Sequence, residues 1–245
     1  MSRPLPAAPR ALLWDLDGTL VDTGHDLATA INGMLVEYGL PALPAEQVAG
    51  HVGKGARNLV TRCLEDVGQR DRSFDQITRA LAVFERHYDQ HLLDTTRPFP
   101  GVVELFQALE PAGIPNALVS NKPEGFCRQI ADALGLGRYF PVVVGGETLP
   151  SRKPDPAPLL HALAQLRPSD WVGGDLRAGS GEPGAIAPSE AIMIGDTPID
   201  TEAAERAGIA CIAVTWGFAS RTLLQTTTAT HVVDTPDELA RLLRR

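Results

Sequence analysis

An α/β fold, a doubly wound parallel sheet carrying an inserted all-helical unit, is predicted by three observations. Short apolar runs alternate with helical stretches from residue 101 to the end of the chain, the pattern of βα units in a parallel sheet. A first apolar run at residues 10–16 stands apart from that alternation, separated by residues 22–95, where only helical periodicity is found. Finally, the apolar runs end in residues able to do chemistry, and a doubly wound sheet gathers its strand ends at one rim, where ligands bind.

The elements follow in order. Arg10-Ala-Leu-Leu-Trp-Asp-Leu16 reads as a short buried strand. Residues 23–39 place Leu27, Ile31, Met34, Leu35 and Tyr38 at helical spacing, with Gly39 as a stop. Two further helices fit 55–67 and 74–92. Residues 22–95 are therefore expected to form a small helical domain, and 1–21 with 96–245 the sheet-bearing core. Pro100-Gly101 opens a helix at 101–111. Strands at 114–120, 141–144, 190–195, 210–214 and 231–233 then alternate with helices at 123–135, 155–166, 198–208 and 236–243. Right-handed crossovers fix the geometry of such units. Residues 168–188 break the rhythm with five glycines and three prolines. They join a helix to the next strand, so they read as a flap or hairpin at the edge of the sheet away from the ligand, or else as a contact surface for a partner.

Composition narrows the function. A chain of 245 residues, 44% hydrophobic, can build a large core. Its net charge of -8 argues against a basic face for nucleic acid or a membrane surface. No run approaches the ~18 apolar residues of a membrane span, and the Pro-rich start lacks the apolar core of a signal peptide. Cys63, Cys127 and Cys211 lie far apart without a CxxC pair, which suits buried or surface thiols in a reducing cytoplasm better than a disulfide or zinc site. A small-molecule ligand and a monomer or homodimer are expected.

The strand ends carry the chemistry. The first ends in Asp15-Leu-Asp17-Gly18-Thr19, the second in Ser120-Asn121-Lys122, and the fourth in Gly195-Asp196-Thr-Pro-Ile-Asp200; Ser151-Arg-Lys153-Pro-Asp155 follows the third. A hydroxyl, a lysine and four carboxylates at one rim suit a phosphoryl group held with Mg²⁺. That ion prefers hard oxygen ligands, one or two carboxylates with phosphate and water. Asp15 and Asp196 supply carboxylates and the backbone carbonyl of Asp17 a third oxygen. Asp15 is the candidate nucleophile, attacking in line to form an aspartyl phosphate. Lys153 and Ser120 would stabilise the phosphoryl oxygens. Asp17 would protonate the leaving alkoxide and then activate water. Asp200 is expected to position the metal's waters or Lys153 from behind. Gly18 lets the chain turn, and N–H groups there, with Thr19, could face an anion. Asn121 either hydrogen-bonds near the site or holds the turn, and Lys122 reads as decoration of a helix start.

These four segments resemble the motifs of the haloacid dehalogenase superfamily of phosphohydrolases: DLDGT at 15–19, the strand-end Ser120, Lys153 before Pro154, and GDTxxD at 195–200. The second aspartate, Asp17, marks the phosphatases of that family rather than the dehalogenases. The resemblance implies a Rossmann-like core, and the helical unit at 22–95 is similar to the family's C1 cap. Val119-Ser-Asn-Lys-Pro123, Lys153-Pro-Asp-Pro-Ala-Pro-Leu-Leu160 and His51-Val-Gly-Lys-Gly-Ala56 narrow the likeness to phosphoglycolate phosphatases, which implies 2-phosphoglycolate as substrate. A phosphomutase of the β-phosphoglucomutase type, a phosphatase for another sugar, amino-sugar or nucleotide monophosphate or for pyrophosphate, and a non-catalytic protein that retains the fold are the alternatives.

Within the cap, Gly53-Lys54-Gly55-Ala56-Arg57 lacks the spacing of a Walker phosphate loop. It either presents Lys54, Arg57 or backbone N–H groups to a substrate carboxylate, or is a glycine-rich turn. His87 and His91 have metal-compatible spacing but no third ligand, so a solvated helix face is expected. Trp14 should point away from Asp15 into packing. Thr23 and His25, at the cap hinge, are candidates for the entrance.

Overall fold

The computed structural model describes residues 3–70, 72–167 and 186–244. Eight strands and ten helices are found among them. In chain order they are β1 (Ala11–Trp14), β2 (Val21–Asp22), α1 (Gly24–Glu37), α2 (Ala45–Ala49), α3 (Ala56–Asp66), α4 (Phe74–His91), β3 (Arg97–Pro98), α5 (Val102–Leu109), β4 (Asn116–Val119), α6 (Glu124–Ala133), β5 (Val142–Val144), α7 (Ala157–Gln165), β6 (Ala191–Gly195), α8 (Pro198–Ala207), β7 (Ala210–Val214), α9 (Arg221–Leu224), β8 (His231–Val233) and α10 (Pro236–Leu243). Six strands form one parallel sheet in the order β5-β4-β1-β6-β7-β8. The first strand is thus near its middle, and the sheet is doubly wound as expected.

Alternation along β1 divides the core in two. Leu12, Trp14 and Leu16 point to one face, where they join a cluster with Phe106, Ile130 and Leu239. Ala11 and Leu13 point to the other, against Leu159, Leu163 and Ala204 from α7 and α8. Both faces are covered, so β1 reads as a continuous apolar run. Trp14 turns away from Asp15 as expected. Its indole N–H donates to Asn116 Oδ1 at 2.8 Å, and its ring lies 5.0 Å from that of Phe106.

Between β1 and α5 the chain makes α1 to α4, which pack chiefly on one another. Helix α4 begins with a capping box, Ser73 and Gln76 each satisfying the other's backbone N–H. The five-residue α2 and the four-residue α9 are additions to the sequence reading. So is the short antiparallel pair β2–β3, which joins the chain entering the helical segment to the chain leaving it. Asp26, in the first turn of α1 and fully buried, fastens the same junction. Its carboxylate accepts from the backbone N–H and the hydroxyl of both Thr95 and Thr96, at 2.6–3.1 Å. These bonds favour the carboxylate and hold its pKa below the usual value against the opposing effect of burial.

The reading of 168–188 as a flap or partner surface falls, apart from residues 186–188, outside the described residues. Of those three, Ile186 is buried with the α7–α8 cluster and Pro188 opens a single 3₁₀ turn. No described helix is long and apolar enough to cross a membrane. All three cysteines are free and buried, and burial pushes every one of their thiols up in pKa.

Replacing Asp26 by alanine leaves several donors unpaired at this junction. The expected loss is about 2–4 kcal/mol, read as a fall in Tm of roughly 5–15 °C. An unchanged melting curve would show that the junction does not depend on Asp26.

Candidate active site

Four strand-end segments converge at the carboxyl edge of the sheet. Asp15 follows β1 directly, its N–H donating to the Ile194 carbonyl of β6. Across from it Asp196 follows β6. Its Oδ1 accepts from the Thr19 hydroxyl at 3.0 Å and its Oδ2 from the Phe218 N–H at 2.7 Å. Oxygens of Asp15, Asp196 and Asp200 lie within 4.8 Å of one another, all three buried. Lys153 Nζ sits between two of them, 2.9 Å from Asp15 Oδ1 and 2.7 Å from Asp200 Oδ1. Asp200 Oδ2 accepts from the N–H and hydroxyl of Thr197. With both oxygens engaged, Asp200 stands behind Lys153.

The electrostatics are unbalanced. Burial pushes the Asp15 carboxyl up to about 7 even though Lys153 opposes the shift, with Asp200 and Asp17 adding to it. Burial drives Asp196 well above the ordinary range too, and the charges of Asp15 and Asp200 push the same way. Lysine alone does not compensate this cluster. Three hard, buried carboxylates with an excess of negative charge are a donor set compatible with a divalent cation.

Asp17 lies apart from that cluster. Its Oδ1 accepts from Lys122 Nζ at 2.8 Å and from the Thr23 hydroxyl at 2.7 Å. Thr23 is fully buried and bonded to the candidate acid, more intimate than an entrance position. His25 is exposed and lines a separate cleft with Phe99 and Trp216. Lys122 corrects the sequence reading. It is buried, not a surface decoration, and its Nζ also donates to the Tyr88 hydroxyl of α4 at 2.8 Å. Burial alone would lower the Lys122 pKa, but Asp17 and Tyr88 outweigh it and raise it.

Above these groups is a cavity with about 40 Å³ of room for a water-sized sphere. Asp15, Asp17, Ser120, Asn121 and Lys122 form its floor, and Phe84, Tyr88 and Leu59 of the helical segment its roof. Ser120 closes β4, its N–H bonded to Val144 and its hydroxyl accepting from the Lys122 N–H. Asn121 does both things weighed for it. Its amide donates to Lys153 O within the core and to Gly53 O of the helical segment, each at 2.8 Å, while its Oδ1 is unpartnered.

Two other expectations are corrected. The N–H groups of Gly18 and Thr19 do not face an anion, because they close the turn onto Val21 O and Leu16 O. Gly18 is needed for the turn, as the sequence implied, and for the room its missing side chain leaves. It has φ of +85°, and a Cβ there would stand 2.2 Å from Asp196 Oδ2. Lys54 is exposed and outside the cavity lining. Arg57 turns to α4, its guanidinium 4.5 Å from the Phe74 ring centroid and bonded to Thr78. What this loop brings to the cavity is Gly53 and Gly55, close to Thr197, Ile199 and Arg152 of the core. His87 and His91 form no joint site; they pair with Glu37 and Asp94. The sequence reading missed Tyr88, Phe218 and Trp216, whose indole N–H donates to Thr19 O. None lies in a motif, so pattern alone gave no signal.

A parallel sheet with two aspartates one residue apart after its first strand, a lysine between carboxylates and a helical roof defines a class of hydrolase, and comparison with known proteins agrees. The model of the haloacid dehalogenase-like hydrolase family matches residues 12–214, so the chain belongs to that family. It is similar to phosphoglycolate phosphatase 1 of Pseudomonas aeruginosa, 39% identical over 212 residues, 86% of this chain and 71% of the relative. It is also similar to a phosphoglycolate phosphatase of Nitrosospira multiformis, 38% identical over 218 residues, 89% of this chain and 87% of the other. Among solved structures, a predicted phosphoglycolate phosphatase from Haemophilus somnus superimposes with a TM-score of 0.80 at 27% identity, covering 95% of this chain and 97% of that one. The protein is an enzyme of the phosphoric monoester hydrolase class, acting on a small phosphate ester.

Gly18→Ala is expected to push Asp196 out of place and lower kcat by about 100-fold, the scale of a 1 Å misplacement, with the circular dichroism spectrum retained. Activity within threefold of the parent would disprove the claim that this backbone supports Asp196.

Proposed function

We propose that the enzyme hydrolyses 2-phosphoglycolate to glycolate and phosphate through a phosphorylated Asp15, with Mg²⁺ as cofactor. The observation that carries the chemistry is the buried Asp15 carboxylate on the cavity floor, 2.9 Å from Lys153 and grouped with Asp196 and Asp200. The names of the relatives at 38–39% identity support the substrate.

Asp15, Asp196 and the Asp17 backbone carbonyl would hold the metal, with Asp200 behind them. When bound, the metal offsets the crowded negative charge and polarises the phosphoryl group. Asp15 attacks phosphorus, the new O–P bond forming as the bond to the alcohol oxygen breaks. Lys153 and the Ser120 hydroxyl face the phosphoryl oxygens. Asp17 gives its proton to the departing alkoxide. Both of its hydrogen bonds fall on Oδ1, so Oδ2 is the oxygen that carries that proton. Asp17 then takes a proton from water, which attacks phosphorus and frees Asp15. Residues 22–95 act as a cap over the core of 1–21 and 96–245, excluding bulk water from the intermediate. The three buried free thiols support a reducing, cytoplasmic setting.

Asp15→Asn should abolish turnover in a folded protein and leave no acid-stable trace of phosphoryl transfer to residue 15 by mass spectrometry. Near-normal rates would refute the nucleophile. Across a panel of phosphate esters, 2-phosphoglycolate should have the highest kcat/KM and should release phosphate; isomerisation of a sugar phosphate without release would favour the mutase reading instead.

The raised carboxyls also predict a linkage with pH. A carboxyl whose pKa is higher folded than unfolded weakens the fold as pH climbs past the unfolded value, because folding then disfavours the charged form. For Asp15 that window runs from about 3.8 to about 7. A bound cation relieves the penalty, so the Tm gain on adding Mg²⁺ should be larger at pH 8 than at pH 5.5. Equal gains at both would contradict metal binding by these carboxylates.

A further inference from the structure

We propose that Lys122 Nζ and the Tyr88 hydroxyl together form a subsite for a carboxylate on the leaving alcohol, and so select esters with an anionic group one carbon from the bridging oxygen. The inference rests on the hydrolase reading above and names what selects its substrate. Lys122 is the one cationic side chain among the described residues lining the cavity. Its ammonium has three N–H donors, and two are used, on Asp17 Oδ1 and Tyr88 Oη. The third remains. Tyr88 Oη accepts from Lys122, so its own proton is uncommitted. Burial pushes that phenol up to about 12, and it stays a donor at neutral pH. Two unspent donors 2.8 Å apart match the two oxygens of one carboxylate.

The surroundings fix this pair. The Tyr88 ring stacks on Phe84 at 5.7 Å and meets Phe126 edge-on at 5.2 Å. Leu27 and Leu59 complete an apolar wall. A second anion entering such a wall unpaired would be costly. Lys122 Nζ lies 2.8 Å from Asp17 Oδ1, so a substrate that meets both residues holds its carboxylate close to its bridging oxygen. Lys54 and Arg57, the cations the sequence offered for this task, lie outside the cavity lining.

The test compares 2-phosphoglycolate with ethyl phosphate in turnover, and phosphonoacetate with ethylphosphonate in calorimetric binding with Mg²⁺ present, for the parent, Tyr88→Phe and Lys122→Gln. The parent should favour the carboxylated member of each pair. Tyr88→Phe, which keeps the ring stack, should cut that preference by roughly tenfold. Lys122→Gln should erase the preference. Equal binding of the two phosphonates by the parent, or a preference unmoved in Tyr88→Phe, overturns the subsite whether or not Lys122→Gln folds. If the parent binds phosphonoacetate selectively but turns over neither ester, the subsite stands and the assigned reaction fails; if it hydrolyses 2-phosphoglycolate with the preference unmoved in the variants, the reaction stands and the subsite fails.

Discussion

The crowding of carboxylates at one edge of the sheet is the constraint around which this molecule is arranged. Asp15, Asp196 and Asp200 are buried within a few ångströms of one another, an arrangement that like charges oppose and low polarity penalises. Lys153 links two of them, and Thr19, Thr197 and the Phe218 N–H hold particular oxygens in place. The residual imbalance shows in the raised pKa of Asp15 and Asp196. A site of this kind costs stability when empty of charge partners and gains it when an ion and an anion enter together, which is the energetic condition for binding both. Gly18, Gly195 and Gly217 are all small because a side chain at any of them would strike Asp196 or Asp200.

A second polar group, Asp17 with Lys122, Thr23 and Tyr88, is built from different materials. It draws on the turn after β1, the loop after β4, the residue preceding α1, and α4. Asp17 is therefore in contact with both parts of the chain, whereas Asp15 is held by the core alone. Asn121 adds a further tie, donating one hydrogen bond to each side. The helical roof and the surroundings of Asp17 are consequently joined by hydrogen bonds.

Much of this could be read from residues in order. The alternation after residue 100, the apolar run at β1 and the four strand-end motifs lead to the parallel sheet and to Asp15, Lys153 and Asp196, because period and spacing are local properties. Elements too short for periodicity escaped, among them α2, α9 and the β2–β3 pair. Lys122 escaped for another reason. A lysine just before Pro123 and a helix looks like a surface residue, and only a tertiary contact with Tyr88, 34 positions away, explains its burial. The sequence implies that Gly18 lets the chain turn, which its φ of +85° bears out, but the anion expected at the N–H groups there is not met, and the demand of the absent Cβ beside Asp196 went unread. Lys54 and Arg57 show the converse error, charge in a suggestive loop spent on solvent and on Phe74.

The position of β1 has a consequence for biosynthesis. It is made first but lies between β4 and β6, and its full register with β6 needs residues 191–195. During vectorial synthesis its unpaired edge must wait for most of the chain to emerge, whereas α1 to α4, whose contacts are largely with each other, can assemble on the ribosome much earlier. The pairing of β1 with β6 is therefore completed only after residues 191–195 have been made.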